Sequence, residues 1–142
     1  MSVHTREMLD RLSRRARREF SCGLMSDTKW RKLFATLAHL DMPEGQMHVK
    51  FLDTPEVRAM PFPGPVALWP PHPYMDLQFG PIELRAIEWI DFPHIASTPR
   101  SRNLPDRKTP QALAPIRQNL KRLGQFPIVE TEHGIRIEGY RR

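Results

Sequence analysis

Cysteine and long apolar runs are what this sequence has least of. Cys22 is its single cysteine, which excludes an internal disulfide framework and a zinc site built on several thiolates. No stretch approaches the roughly 20 uncharged apolar residues that a membrane span needs. Residues 1–20 carry six arginines and no apolar signal-peptide core. We therefore expect a soluble, cytoplasmic protein without a membrane partner.

Glycine is also sparse, whereas proline is abundant. The seven glycines are scattered, which excludes a glycine-rich phosphate-binding loop. The 15 prolines are roughly double ordinary usage and indicate long loops. Because 142 residues fit the length of one globular domain, we predict a single domain over residues 1–142.

The net charge of +6 is distributed unevenly. Residues 1–23 hold six arginines against three acids, and residues 98–125 hold seven cations against Asp106 alone. Like charges that cluster on one side of a molecule add their fields. The distribution therefore favours phosphate, an anionic membrane surface or an acidic protein as the partner.

Apolar residues at helical spacing predict three helices. The first is a basic amphipathic helix over 5–20. The second is capped by Ser26 or Asp27 and runs to about Leu40. The third carries an apolar face from Leu113 and ends at Gly124.

Short alternating runs predict the strands, which are Met47–Leu52, Val66–Trp69, Met75–Phe79, Leu84–Phe92 and a terminal hairpin of 126–131 with 135–140. The order ααββββαββ predicts an α+β domain with a mixed or antiparallel sheet packed against helices. The run 84–92 is apolar on both faces, so we expect a central strand covered on both sides. Residues 96–110 have almost no large apolar side chains and predict a mobile basic loop.

Metal and thiol chemistry receive little support from the residue pattern. The six histidines share no short motif of metal-ligand spacing, so we expect no metal and no cofactor. Cys22 beside a helix end is interpreted as a small, half-buried residue rather than a nucleophile.

Four carboxylates, Asp76, Glu83, Glu88 and Asp91, form the most tempting catalytic set. Asp76 with Glu83-Leu84-Arg85 loosely resembles the acid and acid-x-lysine pattern of metal-dependent nucleases. Arg85 stands where the lysine belongs, however, and a guanidinium cannot give up a proton. We interpret the set as solvated strand ends or ion pairs. Glu88 alternates with buried positions, and we expect a partner, such as an arginine or tyrosine, for a structural buried charge.

Basic side chains in three places are candidates for partner binding or, alternatively, are only solvated. Those near the start of the second helix oppose its macrodipole. Residues 55–73 form a proline-rich segment. Its rigidity could present Trp69 and Tyr74, whose rings could stack on a base. The candidate partner-binding residues are Arg11, Arg14, Arg15, Arg18, Lys29, Arg31, Lys32, Trp69, Tyr74, Arg100 and Arg102.

Three segments carry a family resemblance. They are Leu24-Met25-Ser26-Asp27-Thr28-Lys29-Trp30-Arg31-Lys32-Leu33-Phe34, Ile87-Glu88-Trp89-Ile90-Asp91-Phe92-Pro93 and Ile135-Arg136-Ile137-Glu138-Gly139-Tyr140. With these segments the chain resembles a family of small, largely uncharacterised bacterial proteins. The resemblance implies a single α+β domain without an assigned enzyme activity.

We therefore expect a non-enzymatic binding protein, an immunity-type or regulatory partner of another bacterial protein with an acidic surface. Small bacterial domains of this kind often serve as specific binders, which is an inference by association. A basic protein seeks an acidic face, which argues against a partner that is itself a cationic nuclease. The alternative is a nucleic-acid-associated protein that binds through its basic segments. A metal-dependent nuclease or other hydrolase is the third hypothesis.

Overall fold

A computed structural model describes residues 7, 10, 11, 14, 22–40, 42, 45–64, 68, 74–77, 80–124 and 126–141. The first four of these are helical, and the remainder of the predicted helix 5–20 lies outside the described residues. The other described elements follow the order β1 (Cys22–Gly23), α1 (Asp27–His39), β2 (Gln46–Phe51), β3 (Val57–Pro61), β4 (Tyr74–Leu77), β5 (Gly80–Glu83), a 3-10 turn (Leu84–Ala86), β6 (Ile87–Pro93), β7 (Ile95–Thr98), β8 (Arg107–Pro110), α2 (Ala114–Leu123), β9 (Ile128–Thr131), β10 (Gly134–Glu138) and β11 (Tyr140–Arg141).

The two helices begin and end where the sequence predicts. Ser26 caps α1, and its Oγ accepts a hydrogen bond from the Lys29 backbone N–H at 3.1 Å. In α2, Pro115 lies in the first turn, where its missing N–H costs nothing. Gly124 ends α2 with a φ of 129°. Among the described residues no helix has the length and apolar composition needed to cross a membrane.

A five-stranded sheet of order β3-β2-β6-β10-β9 forms the centre of the fold, and every pairing in it is antiparallel. The α+β prediction is confirmed. One face of this sheet packs against α1 and α2 in a single apolar cluster, to which the central strands contribute Met47, Val49, Phe51, Ile90, Phe92, Ile135 and Ile137. The opposite face, called the polar face below, carries the alternate residues His48, Lys50, Trp89, Asp91, Arg136 and Glu138.

The central strand differs from its prediction in two respects. Leu84–Ala86 is a 3-10 turn, so β6 starts only at Ile87. Its polar face is half-exposed rather than covered, because Trp89 and Asp91 point away from the helices.

The pairing of β2 with β6 shifts by one residue at Glu88, since Lys50 pairs with Trp89 and Phe51 pairs with Ile87. Such a bulge re-aims the side chain of the extra residue.

The proline-rich segment contains an edge strand, β3, which the proline distribution allows. A strand is predicted at 66–69, but Leu68, the one residue of this range that the structure describes, lies in a 3-10 turn. The other three residues lie outside the described residues. The run predicted as one strand at 75–79 starts as β4, which pairs with β5 in a separate two-stranded hairpin.

The prediction of a loop over 96–110 is wrong at both of its ends. Ile95–Thr98 pairs antiparallel with Arg107–Pro110, so β7, β8 and their connection form a hairpin, called the basic hairpin below. The prediction rested on the lack of apolar side chains, and only Ala96 of the hairpin strands is buried. Backbone pairing and hydrogen bonds to the sheet supply the order that a hydrophobic core does not.

We predict that Gly134→Ala destabilises the fold by more than about 2 kcal/mol. Gly134 has a φ of 156°, and a Cβ there would overlap the carbonyl of Phe92 on β6. Gly64→Ala is the matched control, because a Cβ added at Gly64 would meet no atom within 4 Å. Urea unfolding of both variants tests this, and equal midpoints would contradict it.

Candidate functional site

The polar face is organised around a row of three cross-strand neighbours. His48, Asp91 and Arg136 lie directly opposite one another on β2, β6 and β10. The Arg136 guanidinium donates two hydrogen bonds to the Asp91 carboxylate, Nε to Oδ1 at 2.6 Å and Nη2 to Oδ2 at 2.9 Å. This bidentate pairing raises the pKa of Arg136 above its ordinary value. The negative charge of Asp91 is therefore already compensated by the Arg136 guanidinium.

Arg136 is held from a second side by an aromatic ring. Its guanidinium carbon lies 3.9 Å from the centroid of the Trp89 ring, within the range of a cation–π contact. Trp89 is the cross-strand neighbour of Glu138 on β10. The planar cation is thus fixed between a carboxylate and a ring, which gives the middle of the polar face a rigid surface.

Glu88 is nearly buried, with 9% of its surface exposed, and it has an ion-pair partner. Lys50 Nζ lies 2.6 Å from Glu88 Oε2 and also donates to the Phe51 carbonyl oxygen at 3.2 Å. The partner is a lysine, whereas the sequence suggested an arginine or a tyrosine only as examples. The bulge at Glu88 explains the difference, because it brings this side chain to Lys50 across the strand pair.

Two glutamine side chains fasten the basic hairpin to the sheet. Gln46 accepts from the Ser97 N–H at 3.0 Å and donates to the Ser97 carbonyl at 2.9 Å. Gln111 accepts from the Gln46 N–H at 2.8 Å and donates to the carbonyl oxygens of Gln46 and Pro93 at 2.9 and 3.0 Å. We call these five bonds the glutamine clamp. Each amide group both accepts and donates, so it can bond to a backbone N–H and to backbone carbonyl oxygens at the same time.

The clamp leaves two clefts beside the hairpin. The larger, of about 1080 Å³, lies between the hairpin and strands β2 and β3. The smaller, of about 410 Å³, lies between the hairpin, β6 and the turn that joins β9 to β10. His48 and Ser97 line both clefts. The clefts therefore meet at the row of residues on the polar face.

The imidazole of His48 is half-buried at this junction and forms no hydrogen bond with any described residue. Burial lowers the pKa of His48 below its ordinary value of 6.5, against the opposing effect of the Asp91 carboxylate. Burial prevails because Asp91 is occupied by Arg136. The neutral ring offers one donor and one acceptor to the clefts.

The cations of the basic hairpin lack carboxylate partners within the described part of the chain. Arg100, Arg102, Arg107 and Lys108 are all exposed. Arg100 donates to the Pro105 carbonyl at 2.9 Å, and Lys108 Nζ donates to Ser97 Oγ at 3.0 Å. By contrast, the basic residues that form ion pairs with described carboxylates are Lys50, Arg58, Arg85, Arg117, Arg136 and Arg141.

The structure places the sequence-predicted binding residues in different regions. Arg100 and Arg102 share the basic hairpin with Arg107 and Lys108, and Arg11 and Arg14 are exposed helical positions. The residues of α1, Lys29, Arg31 and Lys32, belong to a helix that covers the opposite face of the sheet. Arg31 Nη2 donates to the Leu68 carbonyl at 2.6 Å. Arg15, Arg18, Trp69 and the side chain of Tyr74 lie outside the described residues.

Sequence reasoning alone does not identify several of the residues that line the clefts. His48, Gln46 and Gln111 belong to no sequence motif that indicates a binding site. The available signal was alternation: apolar Met47, Val49 and Phe51 interleave with the polar residues of β2. That pattern places the polar residues on one face but does not identify their partners on distant strands.

The carboxylates of the nuclease-like set are divided between the β4–β5 hairpin, which carries Asp76 and Glu83, and β6, which carries Glu88 and Asp91. Glu83 is buried and forms an ion pair with Arg85. The backbone of Asp76 pairs with Pro81. Within the described ranges no group of three or more histidine, cysteine, aspartate or glutamate residues could hold a metal ion.

We predict that Asp91→Asn lowers the free energy of unfolding by about 1–2 kcal/mol. The change leaves the partly buried Arg136 guanidinium without its charged partner. Glu130→Gln is the control, because Glu130 forms a similar bidentate pair with Arg117 at the surface, where ion pairs contribute little. Urea titrations at pH 7 measure the free energy of unfolding of both variants, and an equal decrease in the two would contradict the prediction.

We also predict that His48 makes the fold less stable in mild acid. Because the pKa of His48 is lowered in the folded state, the unfolded chain binds the proton first as the pH falls below 6.5. The stability that His48 contributes is therefore fully present above pH 6.5 and is lost as the pH falls toward its folded-state pKa. Unfolding free energies at pH 7.5 and 5.5 should differ less in His48→Gln than in wild type, whereas His39→Gln should behave as wild type does.

The comparisons with known proteins concern the chain as a whole. No curated protein and no solved structure matches it. One family model covers residues 12–142, which include both clefts, the polar face and the basic hairpin. The chain therefore belongs to this family, DUF6678, a family of unknown function.

Proposed function

We propose that this chain is a binding protein for another bacterial protein, and that it recognises an acidic segment of that partner as an immunity-type or regulatory factor. The observation that supports the proposal is the contrast in charge pairing. The polar face neutralises Arg136 and Lys50 internally, whereas the basic hairpin exposes four cations that lack such partners within the described residues. In this role the protein acts in the cytoplasm, where its single cysteine stays reduced.

The exposed cations favour recognition by charge. Like charges held together on a short hairpin add their fields and attract an anionic surface. Asp106 is the only carboxylate within the hairpin, and it accepts a hydrogen bond from Ser97 at 3.2 Å. Rim charges of this kind mainly raise the association rate and make binding sensitive to salt.

The clefts favour a polypeptide over a nucleic acid as the occupant. The larger cleft combines small and apolar side chains, including Ala59, Pro61 and Ala96, with polar ones that can bond to a peptide backbone. Single-stranded nucleic acid is usually bound by stacking bases on exposed aromatic rings. Phe92 is the one phenylalanine, tyrosine or tryptophan among the described residues that line the clefts, and it is fully buried.

The family segments provide the framework of this surface. Trp30 of the first segment packs in the core, the second segment is β6, and the third runs through β10 into β11. We interpret these segments as the part of the family that builds the sheet and its polar face, while the hairpin determines the partner.

We predict that the double variant Arg100→Glu with Arg102→Glu loses its partner. Affinity-tagged wild-type protein, isolated from the native bacterium at low salt, should retain an acidic protein that a salt concentration of about 0.5 M releases, because salt screens exposed charges. The hairpin variant should bind the purified partner at least roughly tenfold more weakly, because two attractive charges become repulsive.

Lys121→Glu with Arg122→Glu is the matched control. It makes the same charge change on exposed residues in the last turn of α2 and should bind the partner within about twofold of wild type, the range expected when altered surface charges lie away from the interface. Recovery of the chain alone at low salt would refute the proposal. Retention of nuclease-sensitive material instead of protein would assign the hairpin to nucleic acid.

A further inference from the structure

We infer that the two clefts form one groove for an extended acidic segment, and that a carboxylate of that segment lies in the smaller cleft, where His48 and Lys108 donate hydrogen bonds to it. This inference rests on the proposed function and specifies its binding site. The ligand class is a polypeptide with glutamate or aspartate side chains.

Continuity of the groove follows from its shared walls. His48 from β2 and Ser97 from β7 line both clefts, so an occupant of one cleft meets the other at these two residues. The larger cleft has room for several residues of an extended chain. The smaller cleft has less than half that volume, which suits a side chain better than a further stretch of backbone.

The linings of the two clefts differ in chemistry. The smaller cleft is lined by the potential donors His48, His94, Lys108 and His133. Two carboxylates also line it, Asp91 and Glu132, but Asp91 is paired with Arg136. Lys108 supplies a positive charge to this cleft and each histidine ring adds at least one donor, which favours an anion there.

His48 is suited to contact that anion. Its ring is half-buried, faces both clefts and uses neither nitrogen in a hydrogen bond with a described residue. Neither ring nitrogen is a buried atom left without a partner, so solvent reaches the ring, and a bound carboxylate would accept a hydrogen bond from it in place of water. Arg136 keeps Asp91 from serving as that acceptor, because it occupies both carboxylate oxygens.

Lys108 is positioned to provide the charge. One of its three ammonium donors is bonded to Ser97 Oγ at 3.0 Å, and two remain for a ligand. The same hydroxyl group donates to Asp106 Oδ2 at 3.2 Å. The glutamine clamp fixes the backbone of Ser97, so the ammonium group is held at the border between the clefts.

The test uses two fluorescein-labelled peptides and the full chain. One peptide alternates alanine with glutamate over about ten residues, and the other replaces each glutamate with glutamine. Fluorescence anisotropy at low salt should show binding of the glutamate peptide and at least roughly tenfold weaker binding of the glutamine peptide. His48→Gln and Lys108→Gln should each weaken binding of the glutamate peptide at least about fivefold.

Matched controls carry the same substitutions elsewhere. His39→Gln lies on α1, on the other side of the sheet, and Lys121→Gln lies at the exposed end of α2. Both should bind the glutamate peptide within about twofold of wild type. In wild type the peptide should also shift the ¹⁵N resonances of the His48 ring, which are assigned by their loss in His48→Gln. If His48→Gln does not fold, Lys108→Gln decides alone, because Lys108 is exposed.

Two results would overturn the inference. The first is glutamate-peptide binding that the hairpin variant Arg100→Glu with Arg102→Glu abolishes but His48→Gln and Lys108→Gln leave unchanged. Acidic segments would then bind the hairpin surface outside the groove, and the proposed function would stand. The second is no binding of the glutamate peptide to wild type at millimolar concentration, which removes the groove as an acidic-segment site, while capture of the partner independently tests the proposed function.

Discussion

The glutamine clamp is the interaction on which the candidate site depends. The basic hairpin buries little apolar surface, so its position relative to the sheet is set by the side-chain amides of Gln46 and Gln111 rather than by a core. Each amide both donates and accepts, as a peptide group does in a sheet. Backbone hydrogen bonds at His94 also anchor the base of the hairpin, and the amide bonds tie Ser97 and Gln111 to β2, which defines the width of the two clefts.

The charged groups around the clefts fall into two sets. Those of the polar face form ion pairs within the protein, whereas the cations of the basic hairpin form none with the described carboxylates. On the polar face, Asp91, Arg136 and Trp89 stabilise one another, and Lys50 pairs with Glu88. These groups are partly desolvated, so leaving either member of a pair alone would be costly. The hairpin cations are solvated and bear no such cost, which makes them free to meet a partner's charge.

Sequence patterns predict those structural elements that are determined by residues close together in the chain. The Ser26 cap, the apolar stripe of α1 and the Gly124 stop of α2 all depend on neighbours within one or two turns. The row of His48, Asp91 and Arg136 depends instead on register between strands that are distant in sequence, which periodicity does not specify. Burial of Glu88 predicts a partner, but the identity of that partner, Lys50, depends on a bulge. Hydrophobicity does not predict the hairpin, because backbone pairing and side-chain amides order it instead of apolar burial.

The position of β6 at the centre of the sheet has a kinetic consequence. Asp91 on β6 meets Arg136 across 45 residues of chain, and its other neighbour, His48, precedes it by a comparable distance. Closing loops of this size costs chain entropy before the contacts form, and topologies dominated by such distant pairings fold slowly, in milliseconds to seconds. Newly made chains therefore expose an edge of β6 until the last strands have been synthesised, and during that interval they are most vulnerable to misassociation.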